Sequence, residues 1–145
     1  MISFEVIGLP KPQGSKVAFN AAGGKARMKE SGGADHAAWR NQVAHAARDI
    51  AQHADVPALF DGPLELGIVF RFPMPASRSK AVRSIGTALK TTAPDLSKLI
   101  RSVEDSLQAA NLIADDARIV RYGRMEKIET TGWTGCIITI GSANR

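Results

Sequence analysis

The chain has 145 residues, of which 44% are hydrophobic, so one domain over residues 1–145 with a buried core is expected. Its formal charge of +5 favours an anionic partner. The single cysteine, Cys136, excludes an internal disulfide framework and is expected to be buried as a small hydrophobic residue.

The sequence contains no candidate membrane span and no leader pattern. No apolar stretch approaches the roughly 20 residues that a transmembrane helix needs. Glu5 and Pro10 interrupt the N-terminal apolar residues, which argues against a signal peptide. We therefore expect a cytoplasmic protein without a membrane partner.

The first third of the chain predicts a strand, a loop and a helix. Residues 2–9 alternate as in a strand, and Pro10 ends it. Residues 13–29 are rich in glycine and lysine and predict a loop, which is either only solvated or contacts a DNA backbone. The loop lacks the spacing of a nucleotide-binding P-loop. Residues 35–53 predict a helix with Trp39 and Val43 on its apolar face.

The middle of the chain predicts a buried strand and then a basic segment. Over residues 64–72 every second residue is large and apolar, which indicates a strand of the central sheet with one inward face: Leu64, Leu66, Ile68, Phe70 and Phe72. Residues 76–93 contain no acidic side chain, and we expect a short helix near residues 80–84. A segment with this charge is either merely solvated or binds phosphates, in which case its binding depends strongly on salt.

The last third predicts a helix followed by two strands. Leucine, isoleucine and valine recur at helical spacing over residues 97–110. Residues 118–127 and 136–140 predict strands. The element order strand, helix, strand, helix, strand, strand predicts an α+β fold, in which two main helices pack on a small mixed sheet of about four strands.

Acidic side chains flank the last predicted helix. Asp95 follows Pro94 at its start, and the pair Asp115 and Asp116 follows its end. If the chain turns back, these carboxylates converge and can hold Mg²⁺ for phosphodiester hydrolysis. We predict Asp95 and Asp116 as direct ligands and Asp115 as a ligand or its support. The alternatives are that Asp95 is only a helix cap and that the pair forms only a turn.

This pattern resembles the signature of the RusA family of Holliday-junction resolvases, which are common in phages and prophages. The family pattern reads roughly D-L-D-N-L-x-K-x-x-x-D-A-L, followed by a D-D pair before a strand. Asp95, Asp105 and the pair Asp115–Asp116 match its acids, and Arg101 stands at its catalytic-site lysine. The resemblance is strongest over residues 94–122 and extends weakly to residues 9–12 and to the basic segment.

Two positions depart from the family pattern. Ser97 stands where the family has its second aspartate, and Lys98 replaces the asparagine that follows. Loss of an acid weakens a metal site. Arginine does not donate a proton near neutral pH, so Arg101 replaces only the electrostatic part of a lysine, and Lys98 is the nearby residue that could supply the rest.

The resemblance implies a Mg²⁺-dependent endodeoxyribonuclease that resolves Holliday junctions, a form of branched DNA, by paired symmetric nicks in recombination and repair. It also implies a homodimer in the cytoplasm of a bacterial or phage-infected cell. Asp95, Asp115, Asp116, Arg101 and Lys98 would form the catalytic site, with Ser97 and Asp105 as accessory positions. The predicted DNA contacts are Lys11, Lys16, Lys25, Arg27, Arg78, Lys80, Arg83 and Lys90.

Two other functions are compatible with the sequence. One is a non-catalytic or cleavage-impaired basic protein that binds DNA or RNA through the two basic segments, because Ser97 replaces an acid. The other is a small structural protein whose charge only keeps it in solution. Metal-dependent nicking of a four-way junction would distinguish the nuclease from both.

Overall fold

A computed structural model describes residues 1–14, 16–20, 26–30, 33–53 and 60–143. Lys25, one of the predicted DNA contacts, lies outside these residues. Lys16 and Arg27 are described only as strand positions. No helix among the described residues is long and apolar enough to cross a membrane.

The described residues form an α+β fold, as predicted. The helices are α1 (Gly33–Ile50), α2 (Lys80–Ile85) and α3 (Leu96–Ala109). The strands are β1 (Ile2–Ile7), β2 (Lys16–Asn20), β3 (Ala26–Glu30), β4 (Leu64–Pro73), β5 (Thr87–Leu89), β6 (Ile119–Thr130) and β7 (Gly135–Ser142). Strands β1-β7-β4-β6-β5 form one mixed sheet, in which β4 and β6 are parallel, and β2 and β3 form a separate antiparallel pair.

The core lies between the sheet and the helices α1 and α3. The five predicted inward residues of β4 are all buried, and Cys136, Ile138 and Ile140 of β7 lie beside them in register. Trp39 and Val43 of α1 belong to the same cluster. Since these strand positions share one sheet face, both main helices cover that face.

Two features of the sheet differ from the prediction. The main sheet has five strands rather than about four, because the three-residue β5 pairs with β6 at its edge. Residues 16–20 and 26–30 form an antiparallel pair, so the prediction of a loop over residues 13–29 was wrong there. The pairing supplies backbone hydrogen bonds that the glycine- and lysine-rich composition does not reveal.

Candidate active site

Helix α3 has one buried side and one charged side. Leu99, Ile100, Val103 and Leu107 are buried on the predicted apolar face. Lys98 and Arg101 are exposed on the other side of the helix. Ser102 stands four positions after Lys98 and three before Asp105, a spacing that also fits the charged side, but it is buried and within hydrogen-bond distance of His36. The charged side of α3 is therefore formed around Arg101.

Asp95 occupies the N-cap position of α3 but does not cap the helix. Its backbone is extended, and its carboxylate accepts no capping hydrogen bond. The side chain is 69% exposed, and its Oδ2 lies 4.0 Å from Nζ of Lys98. The carboxylate is therefore not used by the helix and is accessible to a ligand.

Asp115 and Asp116 form a contacting pair of carboxyl groups just after α3. Asp115 caps the short 3-10 turn Asp116–Arg118 by accepting a hydrogen bond from the Ala117 N–H at 2.9 Å. This bond, and one shared with Asp116, lower the pKa of Asp115. The same contact with Asp115 raises the pKa of Asp116, because adjacent carboxyl groups retain a proton between them. The sequence offered a turn as the alternative role of Asp115 and Asp116. That turn is present, and within it the two carboxyl groups are in contact with each other.

The acid pair lies beside the C-terminal half of α3. The backbone N–H of Asp116 donates to Oε1 of Gln108 at 3.0 Å. The charge of Arg101 lowers the pKa of Asp116, and the charge of Asp105 raises it. Asp105 Oδ1 lies 3.9 Å from Nε of Arg101. The structure thus brings together the predicted site residues Arg101, Asp105, Asp115 and Asp116.

Asp95 is not part of that group. Asp105 comes ten positions after it along the helix, which corresponds to about 15 Å along the helix axis. Within the described ranges, no three histidine, cysteine, aspartate or glutamate side chains form a group that could hold a metal ion. The expected convergence of Asp95 with Asp115 and Asp116 is therefore not seen, and the three-aspartate ligand set stays a prediction.

The sequence predicts that Glu104, next to Asp105 on α3, points to solvent, but the side chain is buried, so that prediction is wrong. Its exposed fraction is 8%, and its Oε2 accepts a hydrogen bond from the Tyr122 hydroxyl at 3.0 Å. Burial raises the pKa of Glu104, and the nearby Asp116 raises it further against the opposing hydrogen bond from Tyr122. Helical spacing does contain a signal, because Glu104 stands four residues after Ile100 and three before Leu107.

Several predicted DNA contacts also hold the basic segment in place. Arg78 forms an ion pair with the buried Glu129 at 2.6 Å. Arg83 donates to the carbonyl oxygen of Pro75 at 2.7 Å. Lys90 donates to Thr92 and lies 5.1 Å from the ring centre of Phe72. These cations contribute to the fold of residues 75–92, and their binding to DNA stays a prediction.

Lys11 and Lys80 occupy different surroundings. Lys11 lines a cleft of about 350 Å³ with Lys90 and Pro94, directly before Asp95. Lys80 is exposed at the start of α2. Ser97 is also exposed and lines a second surface depression with Lys98 and Arg101. The start of α3 is therefore bordered by cationic side chains.

The donor chemistry of the acid pair fits magnesium. Mg²⁺ prefers oxygen ligands and keeps several waters, so one or two protein carboxylates commonly hold it. Asp115 and Asp116 supply two contacting carboxyl groups whose mutual repulsion a cation would relieve. Arg101 beside them supplies a fixed positive charge.

Comparison with known protein families identifies the class of protein to which this chain belongs. The family model described as Endodeoxyribonuclease RusA matches residues 9–140 of the 145-residue chain. The protein therefore belongs to the nucleases that act on DNA. More narrowly, the chain is a member of the RusA family of endodeoxyribonucleases. A search of curated proteins finds no match.

Proposed function

We propose that the protein is a magnesium-dependent endodeoxyribonuclease that resolves four-way DNA junctions by paired, symmetric nicks. Membership of the RusA family supports the nuclease activity. The observation that carries the site is the contact between the Asp115 and Asp116 carboxyl groups beside Arg101 on α3. Two carboxylates next to an arginine suit a metal ion bound to a phosphodiester.

Each residue of the proposed site has a separate role. Asp115 and Asp116 would hold Mg²⁺, and Asp95 would act as the third acid from the start of α3. When bound, the ion would polarise the phosphate and activate a water for hydrolysis. Arg101 and Lys98 would contact the phosphate, since their side chains are exposed along the same helix.

The wider assignment follows from charge and symmetry. The net charge of +5 favours binding to the DNA backbone. A four-way junction needs two symmetric cuts, and a homodimer would supply two equivalent sites. We propose one domain over residues 1–145 that acts on branched DNA in the cytoplasm.

Asp116→Asn tests the proposed site. We expect the variant to nick a synthetic four-way junction at least about a hundredfold more slowly in Mg²⁺, because one charged group of the site is lost. Junction affinity without metal should be kept. Asp49→Asn, an exposed acid on α1, is the matched control and should nick at the normal rate. Equal nicking by Asp116→Asn and the control would contradict the assignment of Asp116.

A second candidate function is junction binding with impaired cleavage. It is favoured by the exposed Ser97 at the position of a family aspartate. If a missing acid limits the reaction, Ser97→Asp should raise the nicking rate and lower the Mg²⁺ concentration that half-maximal nicking requires. Nicking by the natural chain at a rate that Ser97→Asp does not increase would argue against impairment. Binding without nicking in the natural chain, together with nicking by Ser97→Asp, would favour this second function.

A further inference from the structure

Lys127 of β6 contacts the segment that leads into Asp95. Its ammonium group donates hydrogen bonds to the carbonyl oxygens of Thr92 and Pro94, each at 2.7 Å. Its own carbonyl oxygen accepts a hydrogen bond from the Lys90 N–H at 3.0 Å. One residue of the sheet therefore holds residues 90–94 at three points.

These bonds are the main attachment of that segment. In the part of the chain that the structure describes, no backbone-to-backbone hydrogen bond outside helices and strands involves residues 91–94. Pro94 lacks an N–H donor, so its carbonyl is its only backbone group for a hydrogen bond. Lys127 binds that carbonyl, which belongs to the same peptide unit as the nitrogen of Asp95.

The position of the Asp95 carboxylate depends on this backbone. The carboxylate makes no capping bond, and its distance of 4.0 Å from the Lys98 ammonium is long for a hydrogen bond. Little in its own contacts therefore fixes the side chain. What limits its position is the Pro94–Asp95 peptide, and Lys127 fixes that peptide against β6.

We propose that Lys127 is a positioning residue for the nuclease reaction, which sets the place of Asp95 by binding the carbonyl oxygens of Thr92 and Pro94. The same strand begins directly after the turn that contains Asp116, so β6 connects the acid pair at one end to the support of Asp95 further along. This role rests on the proposed function, because it requires Asp95 to take part in cleavage.

Lys127→Met tests the role, because methionine keeps the apolar stem and removes the donors. We expect nicking at saturating junction concentration to fall about tenfold to a hundredfold, as small displacements of reacting groups typically do. Junction affinity should change little. Lys127→Arg should restore most of the rate, since a guanidinium group can donate to the same carbonyls. Arg124→Met, on the exposed part of the same strand, removes an equal charge and should nick normally.

Amide hydrogen exchange supplies a readout that does not depend on activity. In Lys127→Met the amides of residues 91–96 should exchange faster, while those of β1 and β7 keep their protection. Unchanged exchange in residues 91–96 would overturn the proposal. Loss of protection throughout the protein would show that Lys127→Met is unfolded. In that case Lys127→Gln replaces it, and its nicking rate and its amide exchange in residues 91–96 are compared with those of Lys127→Arg.

Asp95→Asn separates this proposal from the proposed function. If Asp95→Asn nicks at the normal rate, the role of Asp95 in the proposed function is wrong, and the positioning role of Lys127 falls with it. If Asp95→Asn is inactive and Lys127→Met nicks normally, the proposed function stands and only the positioning role is overturned. Loss of nicking in both, with rescue by Lys127→Arg, supports the role of Lys127.

Discussion

Burial gives Glu104 a different chemistry from the other acids of α3. Asp95 and Asp105 keep contact with solvent, whereas Glu104 faces the hydroxyl of Tyr122 within the protein. Its raised pKa means that the folded protein holds a proton on Glu104 more tightly than the unfolded chain does. This difference links the stability of the fold to pH.

Glu104→Gln should therefore change how stability depends on pH. The contribution of Glu104 is most favourable below its ordinary pKa of 4.5 and is lost as the pH rises through its higher pKa in the folded protein. The free energy of unfolding of Glu104→Gln relative to the natural chain should thus increase with pH from 4.5 upward and then level off. Urea unfolding at a series of pH values measures this difference.

Tyr122→Phe provides the control for that experiment. Its hydroxyl lowers the pKa of Glu104, so its removal should move the pH dependence to higher values. If the difference in free energy of unfolding between Glu104→Gln and the natural chain is constant over the whole pH range, burial does not raise the pKa of Glu104.

The central sheet depends on a close approach between β1 and β7. Gly135 begins β7 with a φ of +141°, a backbone conformation that residues with a side chain rarely adopt. It pairs with Ile7 of β1. A Cβ atom at this position would lie 1.8 Å from the carbonyl oxygen of Val6. Glycine is therefore required where the last strand joins the sheet.

Gly135→Ala should be strongly destabilising. We expect a loss of about 2–4 kcal/mol, because backbone strain adds to a clash with a backbone oxygen. The midpoint of guanidinium unfolding measures it. Gly62→Ala is the control, since a Cβ at Gly62 meets nothing within 4 Å, and its effect should stay within about 0.5 kcal/mol. Equal guanidinium midpoints for the two variants would contradict the prediction, because they would mean that β1 and β7 can move apart around the new side chain without loss of stability.

Long elements with a strong apolar pattern were predictable, and short paired strands were not. The helix expected over residues 97–110 is α3 (Leu96–Ala109), and the strand expected over residues 64–72 is β4 (Leu64–Pro73). Both have a periodic face that packs on the core. Strand β5 has three residues and partly exposed side chains, so only its pairing with β6 defines it. A pattern within one segment does not contain that information.

Across the whole molecule, motif spacing identified the acids but not the distances between them. The sequence places Asp95 and Asp116 on either side of one helix, which allows them to meet or to remain apart. The turn that binds Gln108 places Asp116 beside the C-terminal half of α3 and leaves Asp95 at the start of the helix. Likewise, Lys127, which binds the backbone just before Asp95, comes 32 positions later in the chain. No local sequence pattern around either residue indicates this contact.

The place of β4 in the sheet has a consequence for synthesis of the protein. Both of its neighbours, β6 and β7, come later in the chain. A nascent polypeptide that has just completed β4 must therefore keep both backbone edges of this strand unpaired until residues 119–142 leave the ribosome. Prematurely terminated products would expose this strand and would be substrates for chaperones and proteases.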